Sequence, residues 1–109
     1  MRNIEVFHWD GEAERYNDVL VNGSAIHHLQ NHGYVSLFPF ILGHVSPHDT
    51  KRLESLASFL SDPKEVYSPF GILSMARTHP LYGTGENYWK GPIWININYL
   101  VVSALKQVN

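Results

Sequence analysis

The chain has 109 residues, of which 44% are hydrophobic and 17% are charged, and it carries a formal net charge of -2. These values are typical of a folded globular chain of at most one domain, and without a basic cluster they give no electrostatic basis for binding nucleic acid. There is no cysteine, so disulfides and thiolate chemistry are excluded. No apolar run approaches the ~18 residues of a membrane-spanning helix.

The first predicted element is a β-hairpin. Two short extended runs, 4–9 and 15–21, flank the segment 10–14, which opens with an Asp-Gly pair. Such a pair between aromatic and β-branched residues is a hairpin signal. The tripeptide Asn-Gly-Ser at 22–24 ends the second run, and the polar, histidine-rich segment 25–32 is predicted to be a loop.

The period of the sequence changes after Gly33, where a first helix is predicted. Apolar side chains would lie nearly all round a helix over 37–44, as in a buried helix. Because Pro39 is tolerated only in a first turn, Ser36 is predicted to be the N-cap.

A second helix is predicted to begin at Ser46. The Ser46 hydroxyl can cap the helix, Pro47 fits the first helical position, and Asp49 completes an S-x-x-D capping box. Apolar residues then recur at i, i+3, i+4 and i+7 as one amphipathic stripe. Its members are Leu53, Leu56, Ala57 and Leu60. Pro63 stops the helix at the residue before it.

The third predicted helix spans 94–106 and is apolar on most of its faces. The segment 63–92 before it is rich in proline and glycine and is predicted to be loop, with one short helical turn within 71–77. A helix that is apolar on most faces needs cover on most faces. Two or three helices and a hairpin offer too little cover, which indicates part of a larger helical barrel.

The segment 88–99 is the most informative part of the chain. It sets two indoles, a cation, a Gly-Pro turn and two side-chain amides beside the start of the third helix. This combination suits a sugar, whose rings have apolar CH faces edged by hydroxyls. Other interpretations stay open, because tryptophans can pack in a core, a lysine can be solvated, and asparagines can cap a helix. The residues concerned are Trp89, Lys90, Trp94, Asn96 and Asn98.

The histidines raise the question of a metal site, because His28 and His32 are four residues apart and would share one face of a helix. Gly33 and the polar surroundings argue against a helix there, and no carboxylate is close in sequence. We therefore predict no metal ligand and no cofactor. The sequence also lacks a P-loop, a G-x-G-x-x-G motif and a Ser-His-Asp arrangement.

Several segments carry a family resemblance. The segment 89–96 reads Trp-Lys-Gly-Pro-Ile-Trp-Ile-Asn, and 33–39 reads Gly-Tyr-Val-Ser-Leu-Phe-Pro. Further on lie Leu-Ser-Asp-Pro at 60–63 and Ser-Pro-Phe-Gly-Ile-Leu-Ser at 68–74, and Phe-His-Trp-Asp stands at 7–10. Taken in their order along the chain, these motifs resemble glycoside hydrolase family 63, the family of processing α-glucosidase I.

The resemblance implies a mainly α fold, with about three helices of an (α/α)6 barrel and an N-terminal β-hairpin. Residues 1–109 would form a partial catalytic barrel domain that is incomplete at both ends. Processing α-glucosidase I removes the terminal α-1,2-linked glucose of N-glycan precursors with inversion, and bacterial relatives act on other α-glucosides. Inversion requires one carboxyl as acid and one carboxylate as base. Both come from family segments outside the matched part, so no catalytic residue is assigned.

The resemblance also implies sugar-contact residues. They are Trp89, Lys90, Gly91, Trp94 and Asn96 in the segment 88–99 (the Trp-rich segment), Phe70 and Gly71 in the loop before it, and Trp9 and Asp10 at the hairpin. At position 90 the family usually has arginine, so lysine replaces a planar fork by a point charge. The implied partner is a glucosylated oligosaccharide.

The expected function is that of a fragment of an inverting α-glucosidase, inactive alone, which supplies sugar-subsite residues without the acid/base pair. The alternative is a non-catalytic carbohydrate-binding or interaction module derived from the same barrel. The family implies the lumen of the endoplasmic reticulum. No targeting signal is visible, since Glu5 and His8 come too soon for a signal peptide. We also expect self-association through exposed apolar helix faces.

Overall fold

The computed structural model of the chain describes residues 3–108. Outside the described residues lie Met1, Arg2 and Asn109. All three belong to the predicted domain 1–109, and the first two belong to the N-terminal segment in which a targeting signal was sought. The elements are a π-helical turn Ile4–His8, strands β1 (Trp9–Asp10), β2 (Arg15–Tyr16), β3 (Asp18–Asn22) and β4 (Ala25–Leu29), and helices α1 (Tyr34–Ile41), α2 (Thr50–Ser61) and α3 (Ile95–Gln107). In this part of the chain no helix is long and apolar enough to cross a membrane.

The predicted N-terminal hairpin is confirmed around its turn, but its strands are shorter than expected. β1 pairs antiparallel with β2 across the turn 11–14. The extended run predicted before it is wrong, because Ile4–His8 forms the π-helical turn. Glu5 in this turn accepts hydrogen bonds from the Tyr16 hydroxyl at 2.8 Å and from Arg52. These long-range contacts outweigh the local preference for extended backbone.

A second hairpin replaces most of the loop predicted over 25–32. β3 and β4 pair antiparallel with Asn22 opposite Ala25, so that Gly23 and Ser24 form a two-residue turn. Gly23 has a φ of 63°, which glycine adopts without steric cost. A Gly-Ser pair between two runs is itself a hairpin signal. Because β4 is exposed along nearly all of its length, no alternation of apolar residues marks it as a strand.

Helix α1 begins earlier than predicted, at Tyr34, and Ser36 lies in its first turn instead of at the N-cap. The N-cap is Gly33, because the chain here passes close to Ser74: a Cβ at Gly33 would lie 2.3 Å from the Ser74 carbonyl oxygen. The Ser36 hydroxyl accepts a hydrogen bond from the Gly33 N–H at 3.4 Å. Pro39 therefore falls in the second turn, and the helix ends shortly after it.

Helix α2 begins later than predicted, since Asp49 and not Ser46 is its N-cap. The Asp49 carboxylate accepts the Arg52 N–H at 3.1 Å, whereas the Ser46 hydroxyl accepts an N–H in the turn before the helix. The predicted end of the helix before Pro63 is confirmed. The prediction of a helix over 94–106 is confirmed by α3 to within one residue at each end.

The helical turn predicted within 71–77 is wrong. Backbone donors in this segment bond to distant carbonyls: the Leu73 N–H donates to Val66 at 2.8 Å, and the Ala76 N–H donates to His32 at 2.9 Å. Because neighbouring segments already satisfy these donors, they are not free for helical hydrogen bonds. The rest of the proline-rich segment is loop, as predicted.

The main hydrophobic core lies between the three helices and the loop that joins α2 to α3. Its largest fully buried side chains are Leu37, Phe59, Val66 and Val101. A smaller cluster joins the first hairpin to α1 and to the end of α3, and its buried members are Tyr16, Phe40, Val45 and Ala104. The mainly helical fold with an N-terminal hairpin is therefore confirmed in outline, with a second hairpin added.

Candidate functional site

The Trp-rich segment folds into a turn whose two indoles stack on each other. The rings of Trp89 and Trp94 are nearly parallel, with centroids 4.3 Å apart and an interplanar angle of 4°. Tyr88 packs edge-on against Trp94 at 4.8 Å, and Tyr34 packs edge-on against Trp89 at 6.3 Å. An aromatic cluster is thus assembled from this turn and from the start of α1.

Trp94 is the residue at which the loop becomes helix α3. As the N-cap it donates its backbone N–H to the Tyr34 hydroxyl at 2.8 Å, and its indole N–H donates to the Tyr88 carbonyl at 3.0 Å. Its side chain is partly buried against the main core. Trp89, in contrast, is 50% exposed, so core packing accounts for Trp94 better than for Trp89.

Tyr34 and Asn98 connect this turn to the loop at Gly71. The Tyr34 hydroxyl donates to the Ile72 carbonyl at 2.7 Å and accepts from Asn98 Nδ2 at 3.1 Å. Burial raises the pKa of Tyr34, so the hydroxyl keeps its proton. The Asn98 amide pairs with Ile72 as a second peptide group would: Oδ1 accepts the N–H at 2.7 Å, and Nδ2 donates to the carbonyl at 3.1 Å.

Two predicted site glycines lie where backbone must approach other groups closely. Gly91 has a φ of 137°, and a Cβ there would lie 2.7 Å from the Tyr82 ring. Gly71 has a φ of 144°, and a Cβ there would lie 3.0 Å from Asn98 Oδ1. Since only glycine adopts such φ values readily, both residues are needed for the packing of the turn and the loop.

Trp89 forms part of the wall of an open cleft of about 580 Å³. The cleft lies beside the start of α1, and aromatic and aliphatic side chains line it together with a polar edge. The lining residues are Asn31, His32, Gly33, Tyr34, Val35, Phe38, Ser74, Met75, His79, Leu81 and Trp89. A concave, mostly apolar wall with a few polar groups is the usual composition of a small-molecule site.

Imidazole and amide groups form the polar edge of the cleft. His79 Nε2 lies 2.8 Å from Asn31 Oδ1, and His32 Nδ1 lies 3.9 Å from the Glu65 carboxylate. Burial lowers the pKa of His32 although Glu65 opposes the shift, so the ring is neutral at neutral pH. Neutral imidazoles and amides both donate and accept hydrogen bonds, as sugar hydroxyls do.

The other predicted residues of the turn and the loop lie at or near the surface. Phe70 is 88% exposed, and Asn96 is exposed on the first turn of α3. The Lys90 carbonyl accepts a hydrogen bond from the Gly83 N–H, and the Lys90 ammonium lies beside Gly85. Contact of Phe70, Lys90 and Asn96 with a sugar stays a prediction.

Trp9 and Asp10 lie in a different cluster. The Arg52 guanidinium lies over the Trp9 ring, 4.2 Å from its centroid. Asp10 is buried and accepts hydrogen bonds from Gln30 at 2.9 Å, from Asn17 at 3.0 Å and from two backbone N–H groups of its turn. The hydrogen bond from Gln30 contributes most to the lowered pKa of Asp10. Neither residue lines the cleft at Trp89, and their contact with a sugar stays a prediction.

The histidines considered as metal ligands do not share a helix. His28 lies in β4 and His32 lies beyond the end of that strand. His28 is 4.0 Å from the Asp10 carboxylate. Over residues 3–108 no group of three or more histidine, aspartate and glutamate side chains is arranged to hold a metal ion.

The sequence gives no indication of Tyr34 as a site residue, and it points to Asn98 only as one of the two amides of segment 88–99, without a sugar contact assigned to it. Both lie in segments that the motifs single out, but their roles depend on contacts that span 64 and 26 positions of the chain. One signal was available for Asn98. A side-chain amide at the start of an otherwise apolar helix must find partners when the helix is buried.

The whole chain, residues 1–109, matches the Glycosyl hydrolase family 63 C-terminal domain. It is 46% identical to a probable mannosyl-oligosaccharide glucosidase of Schizosaccharomyces pombe, over 98% of this chain. It is 37% identical to the mannosyl-oligosaccharide glucosidase of Saccharomyces cerevisiae, over 97% of this chain. The chain spans 13% of the length of each of these two relatives.

Solved structures share the fold. An uncharacterized conserved protein from Thermus thermophilus matches 96% of this chain with a TM-score of 0.72 and 25% identity, and this chain covers 24% of it. A family 63 mannosylglycerate hydrolase from the same organism, in complex with glucose, matches 98% of this chain with a TM-score of 0.70 and 23% identity. This chain covers 25% of that structure.

Proposed function

This chain belongs to glycoside hydrolase family 63, and we propose that it forms part of the sugar-binding subsite of a glycosidase of that family. The observation that carries the proposal is the placement of Trp89, which is half exposed, stacks on Trp94 and forms a wall of the cleft. Sugar rings pack their CH faces on such indoles and present their hydroxyls to neighbouring polar groups.

The proposed subsite combines the Trp-rich turn with the loop before it. Its residues are Trp89, Lys90, Gly91, Trp94 and Asn96 from the turn and Phe70 and Gly71 from the loop. The bonds of Tyr34 and Asn98 to Ile72 support this grouping, because they bring the loop to the N-cap of α3. The polar edge at His79 and Asn31 would face the hydroxyls of the bound ring.

We place the chain within the (α/α)6 catalytic barrel of the family, so that residues 1–109 would be a partial domain. Support comes from α3, which buries Val101 in the core and yet leaves Ile95 and Tyr99 mostly exposed on another face. In a barrel, further helices would cover that face.

In the whole enzyme the proposed reaction is inverting hydrolysis of a glucosidic bond. Inversion requires an acid and a base on opposite sides of the bond. Among the residues that the structure describes, the lining of the cleft includes no carboxylate, and Asp10 is already occupied by hydrogen-bond donors. We therefore propose that the acid and the base come from outside residues 1–109 and that this chain alone does not hydrolyse glucosides.

The proposed substrate is a glucosylated N-glycan precursor with a terminal α-1,2-linked glucose, and the proposed compartment is the lumen of the endoplasmic reticulum. Two relatives that bear the name mannosyl-oligosaccharide glucosidase support a glucosylated oligosaccharide as the substrate. The identity of 46% to one of them extends over nearly the whole chain. The linkage and the compartment are proposed from the resemblance to processing α-glucosidase I.

Binding of kojibiose, the α-1,2-linked glucose disaccharide, tests the subsite. Titration followed by tryptophan fluorescence should saturate, and Trp89→Ala should raise the Kd about tenfold because it removes the stacking wall. Tyr99→Ala is the matched control, since it removes an exposed aromatic ring that does not line the cleft. Equal affinity of Trp89→Ala and the native chain would refute the subsite.

Turnover tests the proposed absence of the acid/base pair. The chain should not hydrolyse an aryl α-glucoside. Hydrolysis at the rate of an enzyme, abolished by mutation of a carboxylate within 1–109, would contradict the proposal.

The second candidate is a non-catalytic carbohydrate-binding module derived from the same barrel. One observation favours it: the chain has a core of its own, with Leu37, Phe59 and Val66 fully buried. Saturable kojibiose binding by a stable monomer without turnover would favour the module. An aggregated chain without a cooperative melt would favour the fragment.

A further inference from the structure

We propose that Tyr34 and Asn98 are positioning residues, which hold the stacked pair of Trp89 and Trp94 and the loop at Gly71 as one unit. The inference rests on the proposed function, because a sugar stacked on Trp89 and bound near Gly71 needs both groups held in one geometry. Tyr34 acts through its neighbours, since it is only 2% exposed.

Every hydrogen-bonding position of the Tyr34 hydroxyl is occupied. It donates to the Ile72 carbonyl at 2.7 Å, and it accepts from the Trp94 N–H at 2.8 Å and from Asn98 Nδ2 at 3.1 Å. These three bonds use its one donor and its two lone pairs. One buried oxygen therefore joins α1, the loop and the start of α3.

Asn98 makes the same connection through a second set of bonds. Its amide pairs with both backbone groups of Ile72, and Nδ2 also lies 2.9 Å from the Trp94 carbonyl. Two parallel bonds restrict rotation as well as distance, and a fully satisfied buried network is rigid. The close approach of this amide requires glycine at position 71, where a Cβ would lie 3.0 Å from Oδ1.

Trp94 transmits this constraint to the wall of the cleft. Tyr34 accepts the Trp94 N–H, and Asn98 donates to the Trp94 carbonyl. The Trp94 ring in turn stacks on the Trp89 ring, with centroids 4.3 Å apart. Loss of the Tyr34 hydroxyl leaves the Trp94 N–H without its partner and frees the backbone on which the stack is built. A purely stabilising role would instead lower the melting temperature and leave the indoles of the folded chain in place.

A heteronuclear NMR spectrum of the three indole N–H groups separates these two roles. In Tyr34→Phe we expect the Trp89 and Trp94 resonances to shift or broaden while the Trp9 resonance stays in place. Well below the melting temperature, the Kd for kojibiose should rise about fivefold or more in this variant.

Tyr16→Phe is the matched control. Tyr16 is also buried, its hydroxyl bonds to Glu5 and Arg52, and its ring centroid is 5.0 Å from that of Trp9. The same chemical change should therefore move the Trp9 resonance and leave those of Trp89 and Trp94 in place.

The positioning role is overturned if Tyr34→Phe leaves the Trp89 and Trp94 resonances in place, or if Tyr16→Phe moves them as much. If they move in Tyr34→Phe while the native chain shows no saturable kojibiose binding, the positioning inference stands and the proposed function fails. Should Tyr34→Phe not fold, Asn98→Ala takes its place, with Gln107→Ala, which removes an exposed side-chain amide of the same helix outside the proposed subsite, as its control.

Discussion

The three tryptophans show how neighbours decide the role of one residue type. Trp9 lies under the Arg52 guanidinium and packs edge-on against Tyr16. The Trp94 side chain packs against the main core, and its ring also stacks on the ring of Trp89. Trp89 is half exposed and borders the cleft. Of the three tryptophans Trp89 is the most exposed, since Trp9 and Trp94 are both partly buried.

Trp89→Ala should cost less stability than truncation of a core side chain. Leu37 is fully buried, so Leu37→Ala should lower the free energy of unfolding by about 2–5 kcal/mol. Trp89→Ala should lower it by about 1–2 kcal/mol, because half of the residue is already in water. Urea denaturation of both variants measures the difference. If Trp89→Ala is the more destabilising change, Trp89 is scaffold and its assignment to a sugar subsite is wrong.

Asp10 is a buried carboxylate whose oxygens are held by hydrogen bonds from neighbouring residues. Hydrogen bonds from Gln30, from its own turn and from Asn17 favour the charged form and lower the pKa below the usual value of 3.8, although burial opposes the shift. A group whose pKa is lower in the folded chain stabilises that chain above its unfolded-state pKa. This contribution disappears as the pH falls through the lower, folded-state pKa.

The stability of the chain should therefore fall between about pH 4 and the folded-state pKa of Asp10. Gln30→Ala removes the largest cause of the shift, so it should move this fall toward higher pH. Asp10→Asn should flatten it. Urea midpoints over a pH series measure the effect, and Glu12→Gln, an exposed carboxylate of the same turn, serves as control. An unchanged pH profile in Asp10→Asn would show that other groups cause the fall.

At the scale of elements, the two helix starts that sequence misplaces have the same cause. At Gly33 the start of α1 follows from close contact with Ser74. Before α2 both Ser46 and Asp49 could be the N-cap. The Ser46 hydroxyl accepts an N–H in the preceding turn, and Asp49 caps the helix. A capping motif shows which residues can accept an N–H, and the path of the chain determines which of them does.

Asp49→Ala should lower the free energy of unfolding by about 1 kcal/mol, the usual cost of losing an N-cap. Asp49→Asn should stay close to the native chain, because asparagine caps equally well and loses only the surface contact with the Arg52 guanidinium at 3.4 Å. Ser46→Ala should cost less than Asp49→Ala. Chemical denaturation of the three variants decides, and a larger loss in Ser46→Ala would restore Ser46 as the cap.

At the scale of the molecule, α3 has two apolar faces, of which only one is buried in the cores of the chain. Ile97, Val101 and Ala104 point into the chain. Ile95, Tyr99 and Val102 have the same spacing and are 81%, 70% and 52% exposed. The chain spans 13% of its relatives, and in the proposed barrel other helices would cover this second face.

We expect the isolated chain to self-associate or to bind a hydrophobic dye through this face. Contiguous apolar patches larger than a few hundred Å² drive association in water. Tyr99→Lys combined with Val102→Lys should shift the chain toward monomer in sedimentation experiments. Ser58→Lys, which adds a charge to an exposed position of α2, should not. A monodisperse native monomer with a sharp melt and no dye binding would contradict the proposed place in a barrel.

Local signals in the sequence determined the features that depend on neighbouring residues. The Asp-Gly pair marked the turn of the first hairpin, Pro63 marked the end of α2, and the apolar run marked α3 to within one residue at each end. The family could be recognised from motifs and their order along the chain, because such a comparison uses the sequence alone. Each of these signals acts over a few positions, so it survives without tertiary context.

Tertiary structure decided everything that depends on a distant partner. The segment 71–77 could not form a helical turn because its donors serve carbonyls elsewhere in the chain. The site came together because Tyr34 and Asn98 bond across 60 and 26 positions to Trp94 and Ile72. No periodicity in a sequence encodes such pairs, since a buried polar group is satisfied by whichever partner the packed chain brings within reach.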